Sequence, residues 1–334
     1  MSVIELKEIL WEITNKCSKN CEYCGSKNII NKENCNDKFD VIKVVLQRII
    51  DFKQKYKENE LSVVLTGGEP SEIDEETLEK VLVELKMAEI KTKILTNGKL
   101  FDVANIDILY CTDVIGLSIN TINDIKNISG VFRELIDNQR KITIITNFGK
   151  HNVFDFEAIS DFVVETNCLW QMQLTMGEQQ LNKSGISFLM DKVNKAKADG
   201  VNIILADNMN CGKCVAGINS VGITYDGNII GCLAERSFCK IIDTYGNLLS
   251  ETLINIWENE FKDIRFSNCR KCCKDMIDYD FNKKNATETL DEHIKIKFKR
   301  EFPIIRRSDK INTPSIILYG VGESQTFVYG VSDE

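Results

Sequence analysis

Short apolar runs recur along the first part of the chain, and segments of helical period separate them. The runs are Ile9–Ile13, Leu61–Thr66, Thr92–Thr96, Val114–Ile119, Ile142–Thr146, Trp170–Leu174 and Val201–Leu205. Each is short and several are rich in β-branched residues, as buried strands are. Between them Val41, Val44, Val45, Ile49 and Phe52 repeat at spacings of three and four, the period of one helix face. Leu78, Val81, Leu82 and Leu85 do the same behind Glu75 and Glu76, acids that suit the positive end of a helix dipole. Phe132, Leu135 and Ile136 continue the habit, as do Phe156, Ile159, Phe162 and Val163. Ser187–Ala198 predicts one more helix, stopped near Gly200.

Strands alternating with helices predict a parallel sheet joined by right-handed crossovers. The expected fold class is α/β, a partial (β/α)6 TIM-like barrel over residues 1–206, with a doubly wound open sheet as the alternative. Either arrangement puts function at the C-terminal ends of the strands. The pattern changes after residue 206. Ser220–Tyr225 and Asn228–Cys232 flank Asp226-Gly227, a strong hairpin signal. Leu253, Ile256, Trp257 and Phe261 then mark one face of a helix near Glu251–Ile264. Residues 207–275 thus read as a small module organised by metal. Residues 276–334 read as a helix at Glu288–Lys299 and two strand-like runs, Ser315–Tyr319 and Thr326–Val331. These runs are expected to cover part of the barrel or the module, strand addition to an extended peptide being the alternative.

Composition changes the picture at one residue type. The chain has 13 cysteines in 334 residues, most of them in tight groups at 17/21/24, 211/214 and 269/272/273. Such grouping in a long chain without an export signal points to metal, whereas disulfide scaffolds are short and secreted. Only 2 histidines are present, which argues against a His-rich metal site. The net charge of -8 and the lack of a basic arm predict no nucleic-acid partner. Glu5 and Glu8 make the N-terminus unlike a signal peptide, and no apolar run approaches the roughly 20 residues of a membrane span. A cytoplasmic protein is expected.

Cys17-x3-Cys21-x2-Cys24 falls just after the first strand. Three thiolates hold three irons of a cubane and leave the fourth iron for a small molecule. Structural zinc requires four closed ligands, for which Cys35 is the local candidate. Further motifs stand at successive strand ends: Gly67-Gly68-Glu69-Pro70, Thr96-Asn97-Gly98, Ser118-Ile119-Asn120 and Asn147, with Gln171 and Gln173 on the sixth strand. This series resembles the radical S-adenosylmethionine (SAM) superfamily. The matching features are a Cx3CxxC loop with an aromatic residue, here Tyr23, before its last cysteine, and a GGEP motif after the second strand.

The resemblance implies a [4Fe–4S] cluster on Cys17, Cys21 and Cys24, whose open iron chelates the amino and carboxylate groups of SAM. It implies that Gly67, Gly68, Glu69 and Pro70 meet the amino group through backbone carbonyls and the Glu69 carboxylate. Ser118 and Asn120 are implied to face the ribose or carboxylate, with plain strand-end capping as the other reading. Tyr23, Asn97, Asn147 and Gln173 complete the implied cofactor set, although Gln171 and Gln173 also fit ordinary rim polarity. The implied chemistry is one-electron cleavage of SAM to methionine and a 5′-deoxyadenosyl radical, which removes a hydrogen atom from a substrate.

The late cysteines read Cys214-x12-Gly227-x4-Cys232, then a helix, then Cys269-x2-Cys272. This is similar to the twitch subtype of SPASM-type extensions and implies one auxiliary [4Fe–4S] cluster on Cys214, Cys232, Cys269 and Cys272. The alternative is zinc, held by Cys211-x2-Cys214 and Cys269-x2-Cys272 in a zinc-ribbon spacing. Cys211, Cys239 and Cys273 are open as further ligands, and Cys211 and Cys239 as catalytic thiols. Cys111 and Cys168 read as packing residues. The implied partners are a peptide or small-molecule substrate and a one-electron donor such as flavodoxin or ferredoxin. Modification of a ribosomally made peptide by crosslinking, epimerisation or oxidation stands first, although Cys17 comes too early for a leader-binding domain ahead of it. Dehydrogenation of a sugar, aminocyclitol or other small molecule stands second. A non-catalytic Fe–S or zinc protein on the same barrel stands third.

Overall fold

The structure is a computed structural model. It describes residues 5–19, 21–27, 29–30, 39–103, 106–128, 130–175, 179–206, 209, 216–233, 243–262, 316–320 and 325–329. All seven apolar runs form strands: β1 (Glu8–Thr14), β2 (Ser62–Gly67), β3 (Lys91–Thr96), β4 (Val114–Ser118), β5 (Ile142–Phe148), β6 (Leu169–Leu174) and β7 (Ile203–Leu205). Helices α1 (Phe39–Lys55) and α2 (Glu75–Met87) follow β1 and β2. Four short helices come next: α3 (Leu100–Val103) and α4 (Ile106–Cys111) after β3, then α5 (Ile122–Lys126) and α6 (Gly130–Asp137) after β4. α7 (Phe156–Thr166) and α8 (Lys183–Ala198) complete the series after β5 and β6. Each strand pairs in parallel with the next, so β1 to β7 lie side by side in chain order. A doubly wound sheet reverses its strand order at a switch point, and no reversal occurs here. The fold is α/β, with a mixed sheet consistent with a partial barrel.

Alternation along the strands separates two faces. Ile9, Trp11, Ile13, Val63, Leu65, Ile94, Ile115, Leu117 and Trp170 join the main core with residues of the helices, such as Val45, Ile49, Leu82 and Phe156. The opposite face carries Leu10, Val64, Leu95 and Ile145, also buried. Burial on both faces explains why the strands read as continuous apolar runs. α8 begins four residues before the sequence pattern suggests, because Asn182 caps it by accepting from the Gly185 backbone N–H at 2.9 Å.

The later strands extend the same sheet. β8 (Ser220–Ile223) pairs in parallel with β1, on the edge opposite β2. β9 (Asn228–Ile230) returns antiparallel through the turn at Asp226-Gly227, and β10 (Thr244–Asn247) follows. Gly227 has φ +83, the left-handed conformation the turn needs. The helix expected near Glu251–Ile264 is a short α9 (Leu253–Asn255) running into a π-turn at Ile256–Glu260, and Leu253, Ile256, Trp257 and Phe261 are buried as the pattern predicts. β11 (Ile316–Gly320) and β12 (Gln325–Tyr329) form an antiparallel hairpin. The helix expected at Glu288–Lys299 lies outside the described residues. Among the described residues no helix is long and apolar enough to cross a membrane.

A lysine is buried in this frame. Lys93 on β3 is 3% exposed, and burial lowers its pKa to about 8 although Glu8 pulls the other way. The unfolded chain keeps that proton to about pH 10.4. Between about pH 8 and that value the unfolded state binds more protons, so stability at this position rises with pH. Urea unfolding of wild type and Lys93→Met at about pH 7.5 and about pH 9.5 is expected to show the wild type gaining on the variant at the higher pH. An unchanged gap between the two would count against a buried ammonium.

Candidate active site

The C-terminal ends of β1 and β2 meet through backbone alone. The Gly68 N–H donates to the Thr14 carbonyl at 2.8 Å, and the Glu69 N–H donates to the Lys16 carbonyl at 2.8 Å. A Cβ on Gly67 would stand 2.1 Å from the Thr14 oxygen, and one on Gly68 would stand 1.9 Å from the Lys16 oxygen. No side chain fits at either position, which explains both glycines of the GGEP stretch. The cysteine loop leaves β1 directly above this contact.

Polar side-chain ties hold that loop. Glu72, just after the GGEP stretch, accepts from the Ser18 N–H at 3.1 Å and from Lys99 Nζ at 2.7 Å. Burial pushes the Glu72 carboxyl up, but Lys99 and Ser18 outweigh it and hold the pKa below its ordinary value. Lys19 pairs with Asp124 at 2.7 Å, which fastens the loop to α5. Asp124 also completes a capping box with Thr121 at the start of that helix. Burial raises its pKa and Lys19 with the helix N–H groups lowers it further, so the carboxylate stays charged.

Glu69 is 1% exposed and turned toward β3. One oxygen accepts from the Asn97 N–H at 2.7 Å, and the other from the Thr96 hydroxyl at 2.8 Å and the Ser71 hydroxyl at 3.0 Å. Burial pushes its pKa up, and these donors act against that. The carboxylate joins the GGEP and Thr96-Asn97-Gly98 stretches. Asn97 in turn directs its amide at the Cys17 sulfur, at 3.9 Å. Cys17 is buried, and burial raises its thiol pKa.

A cleft of about 100 Å³, partly open to solvent, lies over these strand ends. Cys17, Cys21, Cys24, Tyr23, Gly67, Gly68, Glu69, Asn97, Ser118, Asn120 and Asn147 all line it. Among the described residues no three His, Cys, Asp or Glu side chains are grouped tightly enough to hold one metal ion. A cubane asks for something else, since each thiolate takes its own iron. Three thiols spread along one loop at the edge of a cleft fit that demand. Pro70 is buried as the first residue of a 3-10 turn. Gln173 is buried behind Asn147 and donates to its side-chain oxygen. Asn120 accepts from the Asn147 N–H at 2.7 Å, so β4 and β5 are tied at their ends.

Cys232 follows β9 and is buried. Cys35, Cys211, Cys214, Cys239, Cys269, Cys272 and Cys273 lie outside the described residues. Cys168 is buried, as a packing residue is, and Cys111 is half-buried against the core. Lys19, Glu72, Lys99 and His151 escaped the reading of the sequence. His151 stacks on Tyr23 with ring centroids 4.4 Å apart and planes 10° off parallel. Only Asp124 left a local signal, three residues after Thr121 in the spacing of a capping box.

The cleft's cysteine loop and glycine turn lie within a stretch, residues 11–162, that matches the family model "Radical SAM superfamily". That stretch is a radical SAM superfamily region of the chain. Radical SAM enzyme chemistry, with SAM and an Fe–S cluster as its cofactors, goes with that match. No curated protein matches the chain. Solved structures do. The crystal structure of Streptococcus suis SuiB bound to S-adenosylmethionine has TM-score 0.62 and 18% identity, covering 81% of this chain and 70% of that one. SuiB bound to precursor peptide SuiA has TM-score 0.62 and 17% identity, covering 86% and 75%.

Proposed function

We propose that Cys17, Cys21 and Cys24 hold a [4Fe–4S] cluster and that the chain uses SAM to abstract a hydrogen atom from a ribosomally made peptide. The observation that carries this is the gathering of three thiols, a side-chain-free glycine turn and strand-end amides around one cleft. Bound there, the cluster would supply the electron that cleaves SAM. The residues would do the rest. Gly67 and Gly68 let the ligand approach the backbone closely. Glu69 fixes the Asn97 backbone, which leaves contact with the SAM amino group to the neighbouring carbonyls. Ser118, Asn120 and Asn147 present polar groups across the cleft. The fold shared with SuiB, which was solved with a precursor peptide, favours a peptide over a small molecule.

The rest of the reading concerns the later chain. Residues 1–206 form the barrel, 207–275 the auxiliary module and 276–334 a tail. Cys214, Cys232, Cys269 and Cys272 hold one auxiliary [4Fe–4S] cluster, and a one-electron donor such as flavodoxin or ferredoxin serves the chain. The decisive experiment is iron, sulfide and zinc analysis of anaerobically reconstituted protein, with 5′-deoxyadenosine measured after reduction in the presence of SAM. About eight irons per chain and release of 5′-deoxyadenosine are expected. About four irons with one zinc would replace the auxiliary cluster by a zinc site. Iron without any SAM cleavage would sink the function itself.

A further inference from the structure

β6 carries buried polar groups that the site described above does not use. Trp170, Met172 and Leu174 belong to the main core, and Trp170 packs on Phe156 of α7 with ring centroids 5.1 Å apart. Gln171, Gln173 and Thr175 alternate with them and so share the other face, the one away from the helices. All three are 0% exposed. Both polar atoms of the Gln171 amide, the Gln173 side-chain oxygen and the Thr175 hydroxyl have no hydrogen-bond partner among the described residues. The lateral neighbours of Gln171 in the sheet are Ile145 on β5 and Ile204 on β7, which have nothing polar to offer. Gln173 lies one step nearer the strand end, level with Asn147, and donates to it. Asn147 lines the cleft. The polar strip on that face of β6 therefore adjoins the wall of the cleft at Asn147.

A buried carboxamide with neither its donor nor its acceptor paired is costly, and folded proteins rarely keep one without a reason. Capping does not supply the reason, because Gln171 sits in mid-strand with its backbone paired on both sides. We propose that Gln171, with Gln173, is a substrate subsite that takes a neutral group carrying both a donor and an acceptor, namely a peptide amide or primary carboxamide. The requirement is chemical. A carboxylate would bring no donor to the Gln171 and Gln173 oxygens, and an aliphatic group would leave the Gln171 amide and the Gln173 oxygen unpaired. The assignment rests on the peptide substrate proposed above and narrows it: an amide of the substrate docks on β6 while the reacting carbon faces the cysteine loop.

The test uses the reconstituted holoenzyme with SAM, and N-acetylglycinamide as the probe. Wild type, Gln171→Leu and Gln171→Met are compared. Methionine serves as a second, unbranched replacement in case leucine packs badly. Removing an unpaired carboxamide is expected to raise the melting temperature by about 2–4 °C. Binding of the probe, followed by saturation-transfer NMR, is expected to weaken about tenfold in both variants. N,N-dimethylacetamide, which accepts but cannot donate, is expected to bind wild type more weakly than N-acetylglycinamide. A wild type that does not bind the probe overturns the assignment, as do variants that bind it equally or melt lower. Release of 5′-deoxyadenosine by wild type in the same samples reports on the radical chemistry separately. Its absence would remove the proposed function while leaving the amide comparison to be read on its own.

Discussion

Cys17→Ala is expected to eliminate 5′-deoxyadenosine formation, a fall of at least about a thousandfold, or roughly 4 kcal/mol of barrier. Cys17 is the most enclosed of the three loop thiols, 8% exposed against the half-buried Cys21 and Cys24. It is also the one that accepts from Asn97. Two remaining thiolates cannot replace it, since a cubane ligated through three irons needs all three to stay bound with one position open. The apoprotein should fold, because burial raises the Cys17 pKa and the neutral thiol behaves as a small apolar group. The measurement is iron content, the absorbance of the reconstituted cluster and 5′-deoxyadenosine by chromatography, beside the melting temperature of the apoprotein. Full turnover in the variant would show that the loop is not where the chemistry starts.

Gly68→Ala is expected to do nearly as much damage without touching a ligand. The added carbon would sit 1.9 Å from the Lys16 carbonyl oxygen and 2.5 Å from its carbon. Both are backbone atoms, so nothing flexible can move aside. The β1 and β2 ends would have to separate, and the bonds from Gly68 to Thr14 and from Glu69 to Lys16 would be lost. Overpacking of this kind costs about 1–3 kcal/mol, and two broken backbone bonds add to it. The loop would lose its seat, so iron incorporation is expected to fall together with stability. Gly130→Ala is the control. Nothing lies within 4 Å of its Cβ position at the start of α6, and alanine there should be neutral or slightly stabilising. If Gly68→Ala reconstitutes and melts like Gly130→Ala, the contact between the two strand ends does not support the cluster loop.

The parallel core was legible because buried strands of this kind are short runs of β-branched and aliphatic residues, and each of the seven runs from Ile9 to Leu205 does form one. The first two motifs were legible for a different reason: cysteine and glycine are chosen where no other residue works. Glu69 shows the limit. Its place in the GGEP stretch suggested a ligand contact but not that its oxygens accept from Ser71, Thr96 and Asn97. Sequence spacing cannot tell which way a carboxylate turns. Lys19 and Asp124 meet although 105 positions separate them, and Tyr23 meets His151 across a similar gap. Such pairs depend on loops brought together only when the sheet is complete. The pairing of β8 with β1 was missed for the same reason, since no periodicity records which edge a late strand will join.

That last pairing has a consequence for how the chain acquires its structure. β1 is made about 200 residues ahead of β8, which fills one of its edges, so Glu8 waits for Ser220 and Trp11 for Ile223. Contacts across such separations are slow to form. During synthesis the strand that feeds the cysteine loop would therefore pair with β2 early and keep a bare row of backbone donors and acceptors on its other side. An exposed edge of that sort invites pairing with foreign chains. Arrival of β8 closes it, so that edge of β1 is finished only by residues that come after β7.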